Sequence, residues 1–296
     1  MKRICLIIDN PLRDLDGICL ITWHLIQNGA EVFIVPMNFQ SFEIPAINPD
    51  VILANYVRNN NVNILRSYHN AGARIAIIDT EGIGSWWKDH ALNMQKLRFY
   101  DFVDEYYCWG KEQADIIKDH TSFQTSRIKV TGSPRYDFIS SDLRRTLPVA
   151  NVSLGYILIN TNFPVINPLY EEDTDEELKS WIKNGVSSAK DAKAFVKSSE
   201  NIFEKLLPAI QELAQRLPNQ TFIIRPHPFE AMDPYLQIAG RLGNVQVVKE
   251  GTSLQWINHA SLLLQMNCLT GLEATMMGVE TIGFEWLNET ELKTQN

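Results

Sequence analysis

Short apolar runs of strand length recur along the first half of the chain, at residues 4–8, 32–35, 51–53, 74–78, 105–109 and 128–130. Each is rich in β-branched or aromatic residues, and most are apolar at successive positions instead of alternating. Such runs predict strands buried on both faces, as in a parallel sheet covered by helices. Helical patterns separate them at 17–28, 61–71 and 111–120, and Gly29 stands where a helix C-cap is expected. This βα alternation predicts a doubly wound, Rossmann-like domain.

A second alternation begins near residue 155. Its strands are expected at 156–159, 221–224, 245–248, 262–265 and 281–284, and its helices at 191–217, 234–242, 253–259 and 271–277, the first with a kink or break allowed at Pro208. Between the halves, residues 139–154 are polar without a strong period and read as a linker, which divides the chain into domains 1–145 and 146–296. The acidic segment 168–177 reads as a solvated loop or the start of a helix. The expected fold class is α/β, with two Rossmann-like domains facing a cleft lined by the carboxyl ends of both sheets, where open α/β sheets bind ligands.

Composition agrees with two globular domains. The 296 residues are 45% hydrophobic and 21% charged, which excludes wholesale disorder and a disulfide-stapled miniprotein. The net charge of −8 is opposite to the basic footprint of a general nucleic-acid binder. Cys5, Cys19, Cys108 and Cys268 form no CxxC pair and read as buried thiols in a reducing compartment. No apolar run approaches the roughly 20 residues that span a bilayer. The apolar start is cut short by Asp9, Asn10 and Pro11, so it reads as a first strand and not as a signal peptide. A cytoplasmic protein is expected.

The chemistry should lie just after the strands. Residues 9–17, Asp-Asn-Pro-Leu-Arg-Asp-Leu-Asp-Gly, lack the GxGxxG fingerprint. They either offer free N–H groups to an anion or let Asp14 or Asp16 cap the helix. The Asp14-Leu15-Asp16 triplet mimics a DxD motif in an unusual place. Asp79 and Glu81 end the fourth strand in a glycine-bearing loop, where a carboxylate pair supplies a general base or holds sugar hydroxyls, or else caps a turn. Trp86 and Trp87 follow, for a sugar face or for the core. Arg135, after the sharp Gly132–Pro134 turn, is either structural or an anion contact.

In the second half, Asn160, Thr161 and Asn162 offer uncharged donors for a phosphate or hydroxyl, or form a turn. The Arg225-Pro226-His227-Pro228 segment is the sharpest signal. Two prolines stiffen the backbone on either side of one histidine, which suits a residue aimed at a ligand, and Arg225 adds fixed charge. The last cluster runs from Gln265 to Ala274. There Asn267, Thr270 and Gly271 form a small polar turn into a helix whose N–H groups and dipole favour an anion. Thr270 is a plausible cap, and Glu273, in the first turn, either accepts from ribose hydroxyls or completes the cap.

Four of these segments together carry a resemblance: Thr-Gly-Ser-Pro-Arg-Tyr-Asp at 131–137, Ile-Leu-Ile-Asn-Thr-Asn-Phe at 157–163, Arg-Pro-His-Pro at 225–228 and Asn-Cys-Leu-Thr-Gly-Leu-Glu-Ala at 267–274. The pattern resembles bacterial surface-carbohydrate biosynthesis proteins of the GT-B glycosyltransferase type. More distantly it is similar to Kdo transferases and CDP-glycerol polymerases. The resemblance implies a metal-independent transferase that moves a sugar from a nucleotide-activated donor, CMP- or UDP-linked, to a surface glycan or glycolipid acceptor. No metal ion or further cofactor is implied. Arg225 and His227 would meet the donor phosphate with help from Thr270 and Gly271, Glu273 would hold the ribose, and Asp79 or Glu81 would stand near the reacting centre. The expected cytoplasmic location leaves contact with the inner face of the membrane open. Their chains normally continue past the point where this one ends, soon after Trp286, so the C-terminal part is expected to be shortened. A nucleotide-sugar 2-epimerase-like enzyme and a non-catalytic nucleotide-sugar-binding protein share the architecture and remain as alternatives.

Overall fold

A computed structural model describes residues 1–84, 86–170, 179, 189–266 and 268–289. The chain forms two compact units, Met1–Phe138 and Ile139–Asn296.

The first unit is built on a six-stranded sheet in the order β2-β1-β3-β4-β5-β6, with every pairing parallel. The strands are β1 (Arg3–Ile8), β2 (Glu31–Pro36), β3 (Val51–Ala54), β4 (Arg74–Ile78), β5 (Glu105–Cys108) and β6 (Ile128–Val130). All six apolar runs of the first half are strands, within a residue or two at their ends. Helix α1 (Pro11–Gln27) starts well before the expected residue 17. Pro11 occupies its first turn and Asn10 Oδ1 accepts the Leu12 N–H at 3.0 Å, so Asn10, not Asp14 or Asp16, is the cap. Helices α2 (Gln40–Ile47), α3 (Val62–Asn70), α4 (Trp87–Lys96) and α5 (Lys111–His120) complete the unit. The apolar pattern had not suggested α2 and α4. In α4 the buried positions Trp87, His90, Ala91 and Met94 follow helical spacing, but a histidine stands in the stripe and weakens the signal.

The sheet separates two apolar layers. One gathers Ile52, Ile75, Ile77, Leu65, Phe99 and Tyr106, and the other gathers Leu6, Ile18, Leu53 and Ala76. Cys5 and Cys108 are buried in the first, and burial pushes their thiols up to about 11 and about 12. The expectation of four buried thiols fails at Cys19, which is exposed on α1, and at half-buried Cys268.

The second unit carries a five-stranded parallel sheet in the order β11-β10-β7-β8-β9. Its strands are β7 (Tyr156–Asn160), β8 (Phe222–Arg225), β9 (Val245–Val247), β10 (Ala260–Gln265) and β11 (Glu280–Gly283). Every residue of β7 and β8 is buried, as expected of central strands covered on both faces. Its helices are α6 (Ser141–Arg144), α7 (Ala189–Arg216), α8 (Asp233–Ala239), α9 (Ser253–Ile257) and α10 (Leu269–Met276). Helix α7 runs through Pro208 without a break. The core joins Ile157, Ile159, Leu206, Ile210, Phe222, Ile224 and Leu264.

Residues 139–154 are not a free linker. Arg144 donates to Asn258 Oδ1 at 2.6 Å and to the Met277 carbonyl at 2.9 Å, and Leu147 and Ala150 are buried. The stretch is therefore fastened into the second unit, which begins at Ile139. The acidic segment lies, beyond Tyr170, outside the described residues. No described helix is long and apolar enough to cross a membrane.

Candidate functional site

In each sheet the strand order reverses beside the unit's first strand, between β1 and β3 in one and between β7 and β10 in the other. The connections on either side of that point leave in opposite directions, which opens a crevice at the carboxyl ends of the strands. The candidate residues cluster at both places.

In the second unit, Gln265, Asn160 and Arg225 are register partners at the carboxyl ends of β10, β7 and β8. This polar row crosses the three central strands, and all three side chains are buried. Gln265 Oε1 accepts the Cys268 N–H at 3.0 Å and so shapes the entry to α10. Arg225 Nη2 donates to the Gly251 carbonyl at 2.6 Å, while its Nε is buried without a partner. Burial pulls its guanidinium below the usual arginine range, partly offset by the charge of Glu273. Asn160 is 3% exposed, and neither its Oδ1 nor its Nδ2 has a partner. Thr270 Oγ1 is likewise buried and unpartnered.

Helix α10 begins at Leu269 with Cys268 in the cap position and no side-chain cap. Thr270 is therefore inside the helix, not its cap, and Glu273 falls beyond the first turn. Glu273 is buried and accepts from Ser253 Oγ at 2.7 Å. Gly271 packs closely on the Gln265 side chain, since a Cβ there would stand 2.9 Å from Gln265 Nε2. Asn267 lies outside the described residues.

His227 follows β8, half-buried, and its Nδ1 accepts the Phe229 N–H at 3.3 Å, which leaves the proton of the neutral ring on Nε2. The loop is held by Glu230, a fully buried residue that sequence inspection passed over. Thr161 donates its hydroxyl to this carboxylate at 2.8 Å. Thr161 is buried and Asn162 half-buried. Lys249 was also missed. Its ammonium donates to the Pro228 carbonyl at 3.0 Å and to that of Glu230, and burial pulls it below the usual lysine range. The signal for Lys249, Gly251 and Ser253 was available, because residues 249–253 form a small polar loop between a strand and a helix.

In the first unit the two candidate carboxylates differ. Asp79 is 1% exposed and accepts from Tyr106 Oη and the Glu81 N–H, both at 3.1 Å, with His90 Nε2 at 3.7 Å. These partners make it a group that holds its loop. The Glu81 side chain is 41% exposed and pairs with Arg13 at 3.4 Å and Arg58 at 3.3 Å. Arg13 also grips Asp14 at 2.7 Å and Asp9 at 3.1 Å. Burial works against the Arg13 charge, but Asp14, Glu81 and Asp9 outweigh it and hold the guanidinium above its usual range. Asp14 of the DxD-like triplet is thereby engaged. Trp87 is buried with its Nε1 on the Glu81 carbonyl at 3.0 Å, and half-exposed Trp86 stacks on it at 5.1 Å. Arg135 is buried, with its guanidinium over Trp109 at 5.5 Å and Tyr136 at 5.0 Å. A cavity of about 40 Å³ at the carboxyl ends of β1, β3 and β4 is lined by Asn55, Asp79, Thr80, Trp109 and Arg135 among others.

No protein-family model matches the sequence, and no curated protein matches it. Solved structures do match the fold. The UDP-GlcNAc 2-epimerase from Neisseria meningitidis bound to UDP-GlcNAc superposes with a TM-score of 0.59 at 12% identity, over 95% of this chain and 82% of that one. The UDP-GlcNAc 2-epimerase from Methanocaldococcus jannaschii gives 0.54 at 10% identity, over 96% and 84%. The wall teichoic acid polymerase TagF gives 0.50 at 9% identity, over 94% and 69%. At such identities the likeness establishes the fold, an α/β chain of two parallel-sheet units of the GT-B type.

Proposed function

We propose that this chain is a nucleotide-sugar enzyme of the cytoplasm, a metal-independent glycosyltransferase whose second unit holds the activated donor and whose first unit receives a surface glycan or glycolipid acceptor. One observation carries the reading. Asn160, Arg225 and Thr270 bury polar atoms that no described protein group satisfies, all at the carboxyl edge of three adjacent strands. Native folds rarely leave such groups orphaned, so a phosphate-bearing ligand is the fitting partner.

In glycosyl transfer the sugar gains oxocarbenium character while the leaving phosphate gains negative charge. Arg225, the Nε2–H of His227 and the amide groups opening α10 are the donors suited to that charge, which such groups stabilise by preorganisation. Glu273 suits the ribose hydroxyls, as the resemblance implies. In the first unit Glu81 is the carboxylate open to an acceptor hydroxyl, and Asp79 holds its loop. A second reading, a nucleotide-sugar 2-epimerase, draws on solved neighbours of the same fold that are UDP-GlcNAc 2-epimerases.

A thermal-shift screen with CMP, CDP, UDP, GDP and their sugars tests the common part, since ligand at 100 times its Kd stabilises the native state by about 2.7 kcal/mol. One nucleotide should raise the melting temperature, and His227→Ala should lower turnover of its sugar on the order of 10²-fold with the fold intact. A melting temperature indifferent to all of them defeats the proposal. Product analysis without acceptor then separates the readings, because an epimer carrying solvent deuterium at C2 means epimerase, and a sugar moved only when a glycan is added means transferase.

A further inference from the structure

Glu230 lies three residues past His227 and is fully buried. Its two oxygens do different work. Oε1 accepts three hydrogen bonds, from Thr161 Oγ1 at 2.8 Å, the Phe163 N–H at 3.0 Å and the His227 N–H at 3.1 Å. Oε2 accepts the Tyr235 hydroxyl at 2.5 Å. The Glu230 backbone is tied down as well, with its N–H on the His227 carbonyl at 2.9 Å and its carbonyl on the Lys249 ammonium. One side chain thus fastens the loop after β7 to the loop after β8, and these loops carry Thr161 and His227.

We propose that Glu230 is the positioning residue of the candidate site, fixing the His227 backbone against the Thr161–Phe163 loop, and that it does so through the placement of one acceptor oxygen and not through its charge. The assignment of the site to a nucleotide sugar rests on the reading above, whereas the fastening itself does not. A carboxylate oxygen or an amide carbonyl at that chain length can receive three convergent donors, and few other side-chain groups can. Because Oε1 collects all three loop bonds, an amide in place of the carboxylate keeps them. Its NH₂ then faces the Tyr235 hydroxyl, which can rotate to accept. A shorter carboxylate keeps the charge but withdraws the oxygen by roughly 1.5 Å, the length of one methylene.

Two conservative variants of the full chain therefore separate placement from charge. The first readout is amide hydrogen exchange at Phe163 and His227, which needs no ligand. The second is UDP affinity by titration, and the third is turnover of UDP-GlcNAc. Glu230→Gln should leave all three within about threefold of the parent protein, as expected when a hydrogen-bond pattern survives. Glu230→Asp should speed exchange at both amides at least tenfold. It should also lower turnover on the order of 10²-fold, the scale of a 1 Å misplacement, while changing UDP affinity far less. Should Glu230→Asp fail to fold, Thr161→Val removes one donor to Oε1 and should speed exchange at both amides about fivefold. The proposal is overturned if Glu230→Gln is as damaging as Glu230→Asp, or if Glu230→Asp or, in its place, Thr161→Val leaves exchange at Phe163 and His227 unchanged. If the parent protein binds no UDP, exchange still decides the role of Glu230, and that failure belongs to the nucleotide reading alone.

Discussion

The two sheets set polar residues at the same edge and satisfy them in opposite ways. At the carboxyl edge of the first sheet, charges answer one another: Arg13 is shared by Asp9, Asp14 and Glu81, Arg58 by Glu81, and Asp79 is closed by Tyr106 and a backbone N–H. Asn55 Oδ1, His90 Nε2 and Gln113 Nε2 are exceptions there, buried and unpartnered. At the corresponding edge of the second sheet, Asn160, Arg225 and Thr270 retain polar atoms without described partners. Leaving one such group unsatisfied costs about 1–3 kcal/mol, and a bound ligand can restore it. The first edge pairs its charges internally, and the second leaves part of the polar demand of its central strands, Arg225 included, unmet.

The largest test of that contrast is charge removal at each edge. Arg225→Gln should weaken the nucleotide found by thermal shift on the order of 10²-fold, while Arg13→Gln, which loses only internal pairs, should change its affinity less than about threefold. Titration calorimetry on both variants reads the difference, and equal losses would erase the distinction between the edges.

Two helical glycines give the next effect. A Cβ at Gly17 in α1 would lie 2.8 Å from the Arg135 backbone nitrogen and 3.1 Å from the Pro134 carbonyl carbon, atoms that cannot move alone. Gly17→Ala should therefore destabilise the first unit by about 1–2 kcal/mol despite the better helix former, as urea unfolding would show. Gly271→Ala meets only the end of the Gln265 side chain. It should change stability by less than about 0.5 kcal/mol and show its effect in ligand affinity.

The smallest effect is a pH slope. Burial pushes the Glu230 carboxyl above its ordinary value near 4.5, although four hydrogen bonds oppose the shift. A raised acid binds its proton more tightly in the folded chain. Its contribution to stability is present below that ordinary value and is lost as pH rises through the folded one. Glu230→Gln should flatten this part of the stability profile above about pH 4.5, and an unchanged slope in urea titrations at stepped pH would remove Glu230 as its source.

Much of the fold was legible because central parallel strands need apolar residues on both faces, which leaves short apolar runs, three to five residues long, separated by helical patterns. Helices were read less well where a polar residue sits in the buried stripe, as His90 does in α4, or where the cap precedes the pattern, as Asn10 does in α1. At the site, the stiff segment around His227 and the polar turn before α10 stood out by composition. Glu230 did not, since a lone glutamate beside a proline-rich turn looks like surface, and neither did Lys249, in the short stretch between the expected strand 245–248 and helix 253–259.

By itself, then, the sequence determined the alternation of elements, the two parallel sheets and which loops leave their carboxyl edges, because these depend on local periodicity and chain direction. Strand order was left to the tertiary structure. Placing β7 between β10 and β8 aligned Gln265, Asn160 and Arg225 in one row and brought Thr161, Phe163 and His227 onto a single oxygen. Which buried groups found partners and which did not follows from convergence across about seventy residues of chain, a property that no local pattern carries.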